Sequence, residues 1–241
     1  MKKIMYLFFF LSLSVYSPSS APPLLTQPDL GPGPWKPIGP EGGEIEGMAL
    51  NPLNNTEIYI VTWSNPAQVF QTSDSGNTWK RLALIEGLAG DVAVNPSKPN
   101  IICVLTRSGL FKSTNRGSTW KKHKFPENCY SNGKIAISRA NPNIIYFSGN
   151  HVNPETGNSC WAVFKSKDGG ENWTFTKIVP DSSYGDGFSI VADPKNANSV
   201  YCCGCRMGRG LPQLEWRSDL DATNKILYFG SWGGSIFKKK Q

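Results

Sequence analysis

The chain has 241 residues, 39% hydrophobic, 18% charged and 12% aromatic, with 24 Gly and 18 Pro. That is enough apolar material for a real core, and the frequent Gly and Pro suit many short strands joined by tight turns. The formal charge is +7, but Lys2, Lys3, Lys238, Lys239 and Lys240 sit at the two ends, leaving 20 cationic against 18 acidic side chains in the body. A nucleic-acid binder needs a basic face interleaved with aromatics, so no nucleic-acid partner is expected. The Lys121-Lys122-His123-Lys124 run reads as a solvated outer strand.

In chain order, residues 1–20 read as a signal peptide. Lys2-Lys3 precedes the apolar run Ile4 to Val15, followed by the small residues Ser17, Ser19, Ser20 and Ala21. The run is too short for a comfortable membrane span, and no later segment supplies one after cleavage. A secreted, periplasmic or cell-surface location follows as an expectation. Residues 18–34 are rich in Pro, Ser and Gly, and 21–34 read as a linker, leaving 35–241 as the structured region.

Beyond the linker a repeat governs the sequence. Three segments share Ser/Thr-x-Asp/Asn-x-Gly-x-x-Trp: Thr72, Asp74, Gly76, Trp79; Ser113, Asn115, Gly117, Trp120; and Ser166, Asp168, Gly170, Trp173. Each follows a strand-like run: Val69-Phe70-Gln71, Leu110-Phe111-Lys112 and Val163-Phe164-Lys165. A second landmark lies upstream of the boxes. Pro52, Pro96 and Pro194 each stand seven residues before Tyr59, Cys103 and Tyr201, and Arg139 takes the same place before Tyr146. Before that landmark comes a small apolar strand: MAL, VAV, IAI or SIV. After each box Trp comes a polar strand such as Trp79-Lys80-Arg81-Leu82. Four short strands in a unit of roughly 40–50 residues is the size of one propeller blade. The units fall at approximately 44–86, 90–125, 133–178 and 187–220, with a partial unit at 222–241.

In each box the Gly suits a turn position with positive φ, while the Ser/Thr hydroxyl and the Asx side chain bond turn backbone. The pattern resembles the BNR/Asp-box repeat family, which includes sialidases, xyloglucan-active glycosidases, sortilin-type receptors and photosystem II assembly factors. The resemblance implies an all-β fold, a β-propeller of four-stranded blades with Asp-box turns. It also implies that Asp74 and Asp168 serve the turns on the outer side of the blades rather than catalysis.

The repeat weakens after Tyr201. Ser218-Asp219 is a box remnant without Gly or Trp, and Tyr228 follows Ser218 by only 10 residues. Ile226 to Gly230 echoes IIYFS, and Ser235 to Lys238 echoes Gly109 to Lys112. The expectation is an incomplete propeller of four to five partial blades, a fragment or frame-disrupted product. Trp35-Lys36-Pro37-Ile38 resembles the outer strand Trp79-Lys80-Arg81-Leu82, as though the N-terminus supplied an outer strand to a last blade.

Signals for chemistry are sparse. The Phe/Tyr-Arg-Ile-Pro signature implied by a sialidase is absent from the sequence. The acid implied by xyloglucan-active relatives, just after the second strand of the first blade, is replaced by Trp63. Glu44, Glu46, Asp91 and Asp186 lie near inner-strand starts, where propeller sites form. Asp186 and Glu46 are the catalytic candidates, each set against a polar-turn reading. Cys202-Cys203-Gly204-Cys205 lacks the spacing of a zinc site, no nucleotide loop or Ser-His-Asp set is readable, and neither metal nor cofactor is expected. Cys129 and Cys160 fall in expected loops and are candidates to pair. The third unit carries an expected inserted loop, His151 to Cys160, and Trp63 and Trp161 are candidate sugar-stacking faces. The leading expectation is an exported, non-catalytic module that binds a protein or carbohydrate. The alternative is a sialidase- or xyloglucanase-like glycoside hydrolase lacking its C-terminal blades, and a photosystem-type assembly factor is a third class.

Overall fold

The computed structural model describes residues 38–40, 44–178 and 189–203, together with the strand backbones of Arg217–Asp219, Ile226–Gly230 and Ile236–Lys240. The expected leader, the linker, Trp35, Asp186 and Cys205 lie outside the described residues, as does most of the compressed stretch 202–222. Among the described residues there is no helix, and so none long and apolar enough to cross a membrane.

The strands form four sheets. Blade 1 is β1 (Ile45–Asn51), β2 (Asn54–Thr62), β3 (Ala67–Thr72) and β4 (Lys80–Ile85), hydrogen-bonded in that order. Blade 2 is β5 (Ala89–Val94), β6 (Ile102–Thr106), β7 (Gly109–Ser113) and β8 (Lys121–His123). Blade 3 is β9 (Cys129–Ile137), β10 (Ile145–Val152), β11 (Ser159–Ser166) and β12 (Thr174–Lys177). All three are antiparallel meanders, the all-β blades of a β-propeller.

The fourth sheet differs. β13 (Ser189–Ala192) and β14 (Val200–Cys203) pair as the first two strands of a blade should. β15 (Arg217–Asp219) also pairs with β14, and β16 (Ile226–Gly230) lies parallel to β14 and pairs with β17 (Ile236–Lys240). Strands β16 and β17 therefore extend the fourth sheet, where the sequence pattern placed them in a separate partial unit. The echo of IIYFS marks a strand, but strand identity alone does not choose the partner.

Apolar side chains on both faces of each blade build the core. Tyr59, Val61 and Val69 of blade 1 pack with Val92, Ile102 and Val104 of blade 2. Cys103, Leu105 and Leu110 pack with Ile135, Phe147 and Phe164, where the Phe147 and Phe164 rings stack at 4.4 Å. Tyr146, Trp161 and Val163 meet Ile190, Val200 and Cys202. The landmark seven residues after the Pro is this core position: Tyr59, Cys103 and Tyr146 are all fully buried. Burial pushes the Cys103 thiol up to about 12.

The inserted loop of the third unit is mostly strand. It lengthens the β10–β11 hairpin to eight residues a side and leaves only residues 153–158 as connection. Trp161 is consequently buried in the blade 3–blade 4 core and offers no open stacking face. Cys129 and Cys160 lie on β9 and β11, each opposite His151 of the intervening β10. Two strand spacings put such residues about 10 Å apart, beyond the roughly 7 Å that a disulfide spans, and no disulfide joins them.

Candidate functional site

The two ends of the blades have distinct chemistry. At one end lie the Asp-box turns that join the third strand of a blade to the fourth. Thr72 Oγ1 donates to Asp74 Oδ1 (2.6 Å) and accepts from Gly76 N (2.9 Å), while Asp74 accepts from Thr78 N (2.9 Å) and Thr78 Oγ1 (2.6 Å). Ser166, Asp168, Gly170 and Asn172 repeat the set. In the second box Ser113 and Gly117 keep their bond, and Asn115 Oδ1 takes the Thr119 amide while its Nδ2 donates to Thr119 Oγ1. Gly76, Gly117 and Gly170 have φ of 90°, 83° and 101°, a region that a Cβ disfavours. Hydrogen bonds from Thr72, then Thr78, hold the Asp74 carboxyl down at about 2. The Asn172 amide, first among several donors, draws Asp168 lower still. These acids are saturated by their own turns.

The box Trp residues brace the turns. Trp120 Nε1 donates to Gly117 O (3.1 Å), and Trp79 Nε1 donates to Ile38 O (2.6 Å). The Trp173 ring sits edge-on to Phe147 at 4.8 Å.

At the opposite end the inner strands begin, and in each of the first three blades the inner strand carries a β-bulge there. The register slips between Ile45 and Gly47 in β1, between Ala89 and Asp91 in β5, and between Ser131 and Ile135 in β9. A bulge frees one residue from strand alternation and re-aims its side chain. Here the bulges bring Glu46, Gly90 and Lys134 together from three successive blades. Lys134 Nζ donates to Glu46 O (2.6 Å), Glu46 Oε1 (3.2 Å) and Gly90 O (3.2 Å). Asp91 Oδ2 accepts from Ile135 N (3.1 Å). Gly47 is required by this crowding: a Cβ there would stand 2.5 Å from Asp91 Oδ1 and 2.8 Å from Asp91 Cα.

Burial dominates the electrostatics of this cluster. It pushes the Asp91 carboxyl up to about 6, against the Lys134 charge and the Ile135 and Val92 amides. It also raises Glu46, with Lys134 opposing and Glu44 adding a like charge. Asp91 thus reaches the pKa range of a general acid, but its carboxylate is wedged between blades. The cation ties three blades at the end where their inner strands begin, the mouth of the blades. Lys134 carries no motif; its only sequence signal is its place beside Gly133 just before the IAI strand.

Beside this mouth stands Trp63, at the end of β2. Its amide donates to Glu44 O (2.7 Å), which anchors the backbone. Its side chain is 46% exposed, the only large aromatic other than Phe175 and Tyr201 to be so open among the described residues. Thr62 and Ser64 hydroxyls meet at 3.0 Å, and Ser64 Oγ donates to Pro66 O (2.9 Å). An open indole can stack on the apolar face of a sugar. Glu46, the described member of the candidate acid pair, is half-buried and engaged by Lys134. No cluster of His, Cys, Asp or Glu able to hold a metal occurs among the described residues.

A family model, Sortilin-Vps10, described as "Sortilin, neurotensin receptor 3", matches residues 67–203. A Neosartorya fischeri protein named "Probable oligoxyloglucan-reducing end-specific xyloglucanase" is 28% identical over 156 residues, covering 56% of this chain and 18% of that protein. A Hypocrea jecorina xyloglucanase is 25% identical over 193 residues, covering 68% of this chain and 21% of the relative. The chain thus spans only a small part of the length of these relatives. Among solved structures, an ancestral GH74 enzyme superposes with a TM-score of 0.56 at 18% identity, over 81% of this chain and 27% of that one. The Niastella koreensis GH74 enzyme gives 0.52 at 20% identity, over 80% and 30%. At these identities the structural likeness shows the propeller fold.

Proposed function

The chain belongs to the Sortilin-Vps10 family, and from that premise we propose that it is an exported, non-catalytic propeller module that binds a saccharide at the mouth beside Trp63. The observation that carries this reading is the open indole of Trp63. It stands where the resemblance to xyloglucan-active glycosidases leads one to expect an acid, at the end of the blades where Lys134 engages Glu46 and Asp91 accepts from the Ile135 amide. The box acids Asp74 and Asp168 are likewise occupied by their turns. Two relatives are named xyloglucanases, so a xyloglucan oligosaccharide is the first ligand to try. The export reading rests on Lys2-Lys3 and the apolar run after it, and N-terminal sequencing of protein recovered outside the cell tests it.

Calorimetric titration with xyloglucan oligosaccharides, run beside an assay for released reducing ends, decides between binding and turnover. The expected result is binding without hydrolysis, weakened about tenfold by Trp63→Ala, which removes one stacking face. A second reading, a glycoside hydrolase, draws on the raised Asp91 carboxyl beside Glu46. Turnover abolished by Glu46→Gln in a folded protein establishes that reading and overturns the first. Binding that Trp63→Ala leaves unchanged removes Trp63 from the site.

A further inference from the structure

At the box end, the contact between neighbouring blades changes chemistry from one junction to the next. Between blades 1 and 2 it is apolar. Leu82, three residues after Trp79, brings its Cδ1 to 2.7 Å from the place of a Cβ at Gly117, and the residue after that Gly is Ser118. Between blades 2 and 3 the same two positions are His123, three residues after Trp120, and Glu171, next after Gly170. His123 is buried, and its Nδ1 stands 3.3 Å from Glu171 Oε2. A leucine packs this position adequately in the junction before, and burying an imidazole costs stability unless it is engaged. Packing alone therefore does not account for the histidine.

A cavity of about 230 Å³ lies beside this pair. Lys121 and Lys112 both line it. Lys121 Nζ donates to Glu171 Oε1 (2.9 Å) and Oε2 (3.1 Å), and Lys112 Nζ donates to Gly169 O (2.8 Å). Two ammonium groups and an imidazole thus surround one carboxylate. The Lys121 hydrogen bond, with the charges of His123 and Lys112 behind it, holds Glu171 below its ordinary range. The other walls suit a sugar ring. Trp120 lines the cavity, its indole fixed by the Nε1 bond to Gly117 O (3.1 Å). Thr119 Oγ1 accepts from Asn115 Nδ2 (2.9 Å), which leaves its own proton to donate, and Thr114 adds a second hydroxyl.

We propose that this cavity is a second binding site, at the opposite end of the blades from Trp63, for a hexuronate residue of an acidic saccharide, whose carboxylate replaces that of Glu171 on Lys121 and His123. Glu171 demonstrates that these donors accept a carboxylate. It is also displaceable: the Lys121 and Glu171 side chains are 67% and 49% exposed, and an ion pair so open holds weakly. The indole offers a face for the apolar side of a sugar ring and the threonines offer partners for its hydroxyls, features that an acidic peptide side chain on a flexible stem would leave unused. The volume is below that of a drug-sized pocket, as a site for a single ring should be.

Calorimetric titration of the full chain with methyl glucuronide, methyl glucoside and a blocked aspartate (N-acetyl, C-amide) tests this. The glucuronide is expected to bind in about the millimolar range and the other two at least about tenfold more weakly. Glu171→Gln removes the internal competitor and tightens the glucuronide about threefold or more, a gain that a purely structural role for the pair does not give. His123→Leu restores the apolar contact of the preceding junction, so the fold is retained by circular dichroism while the glucuronide weakens about tenfold or more. Trp63→Ala leaves glucuronide binding unchanged, which separates this site from the mouth. A glucuronide that does not bind, a glucoside or blocked aspartate that binds as well, a Glu171→Gln variant that fails to tighten, or loss of glucuronide binding in Trp63→Ala overturns the proposal.

Discussion

The two ends of the blades treat the same side chain in opposite ways. At the box end, Asp74 is half-buried and Asp168 exposed, and both are surrounded by amide and hydroxyl donors, so their carboxyls fall well below the ordinary range. At the channel mouth, Asp91 and Glu46 are enclosed between blades, and desolvation lifts them in spite of Lys134. Donor supply decides the first case and burial the second. An acid's role in this fold follows from which end of the strand it occupies, more than from its neighbours in sequence.

The largest test of that contrast removes the cation at the mouth. Lys134→Met leaves Glu46 Oε1, Glu46 O and Gly90 O without this donor beside a partly buried Asp91. A loss of about 3 kcal/mol is expected in urea unfolding, as for other partly buried pairs broken on one side. A loss below about 0.5 kcal/mol, the level of an ordinary surface change, removes Lys134 as the tie between blades.

Next in size is Gly170→Ala at the box end. The positive φ disfavours a Cβ, and Leu110 stands where it must go. About 2 kcal/mol of destabilisation is expected from strain and displacement together, and an unchanged unfolding midpoint contradicts it.

The pH dependence sharpens the contrast because the two ends have opposite signs. Asp91 is raised from 3.8 to about 6, so the folded state holds its proton more tightly. Its contribution to stability is full below pH 3.8 and is lost as pH rises through about 6, at most about 3 kcal/mol at 1.36 kcal/mol per pKa unit. Asp74 is lowered from 3.8 to about 2. Its contribution is full above pH 3.8 and is lost as pH falls through about 2. Asp91→Asn should therefore flatten the slope between pH 4 and 6, roughly the window between the two Asp91 values, and Asp74→Asn the slope below it. The same slope change in both variants refutes the two-ended picture.

The smallest expected effect is Asn115→Asp. In the first box Thr78 donates its hydroxyl to Asp74 Oδ2. Thr119 can turn its hydroxyl to do the same in the second, so stability should stay within about 0.5 kcal/mol at neutral pH. A larger loss means the Nδ2–Thr119 bond has no carboxylate substitute.

The fold was legible because a propeller repeats a local unit. The Asp-box turns close within eight residues, and the seven-residue interval from Pro52, Pro96 or Arg139 places a buried Tyr59, Cys103 or Tyr146 in each of the first three blades, so sequence alone specifies them. Local patterns fail where partners are distant. The echo in Ile226–Gly230 marked a strand but not its parallel pairing with β14. The insertion His151–Cys160 read as a loop because hairpin lengthening depends on cross-strand bonds. Cys129 and Cys160 looked free to meet until β10 was placed between them.

The sequence by itself thus determined the blade, its turns and its core positions, since these rest on hydrogen bonds and alternation within a few tens of residues. Only the tertiary structure decided the channel mouth. Glu46, Gly90 and Lys134 lie up to 88 residues apart in sequence, and three separate bulges must align before one ammonium can bridge them.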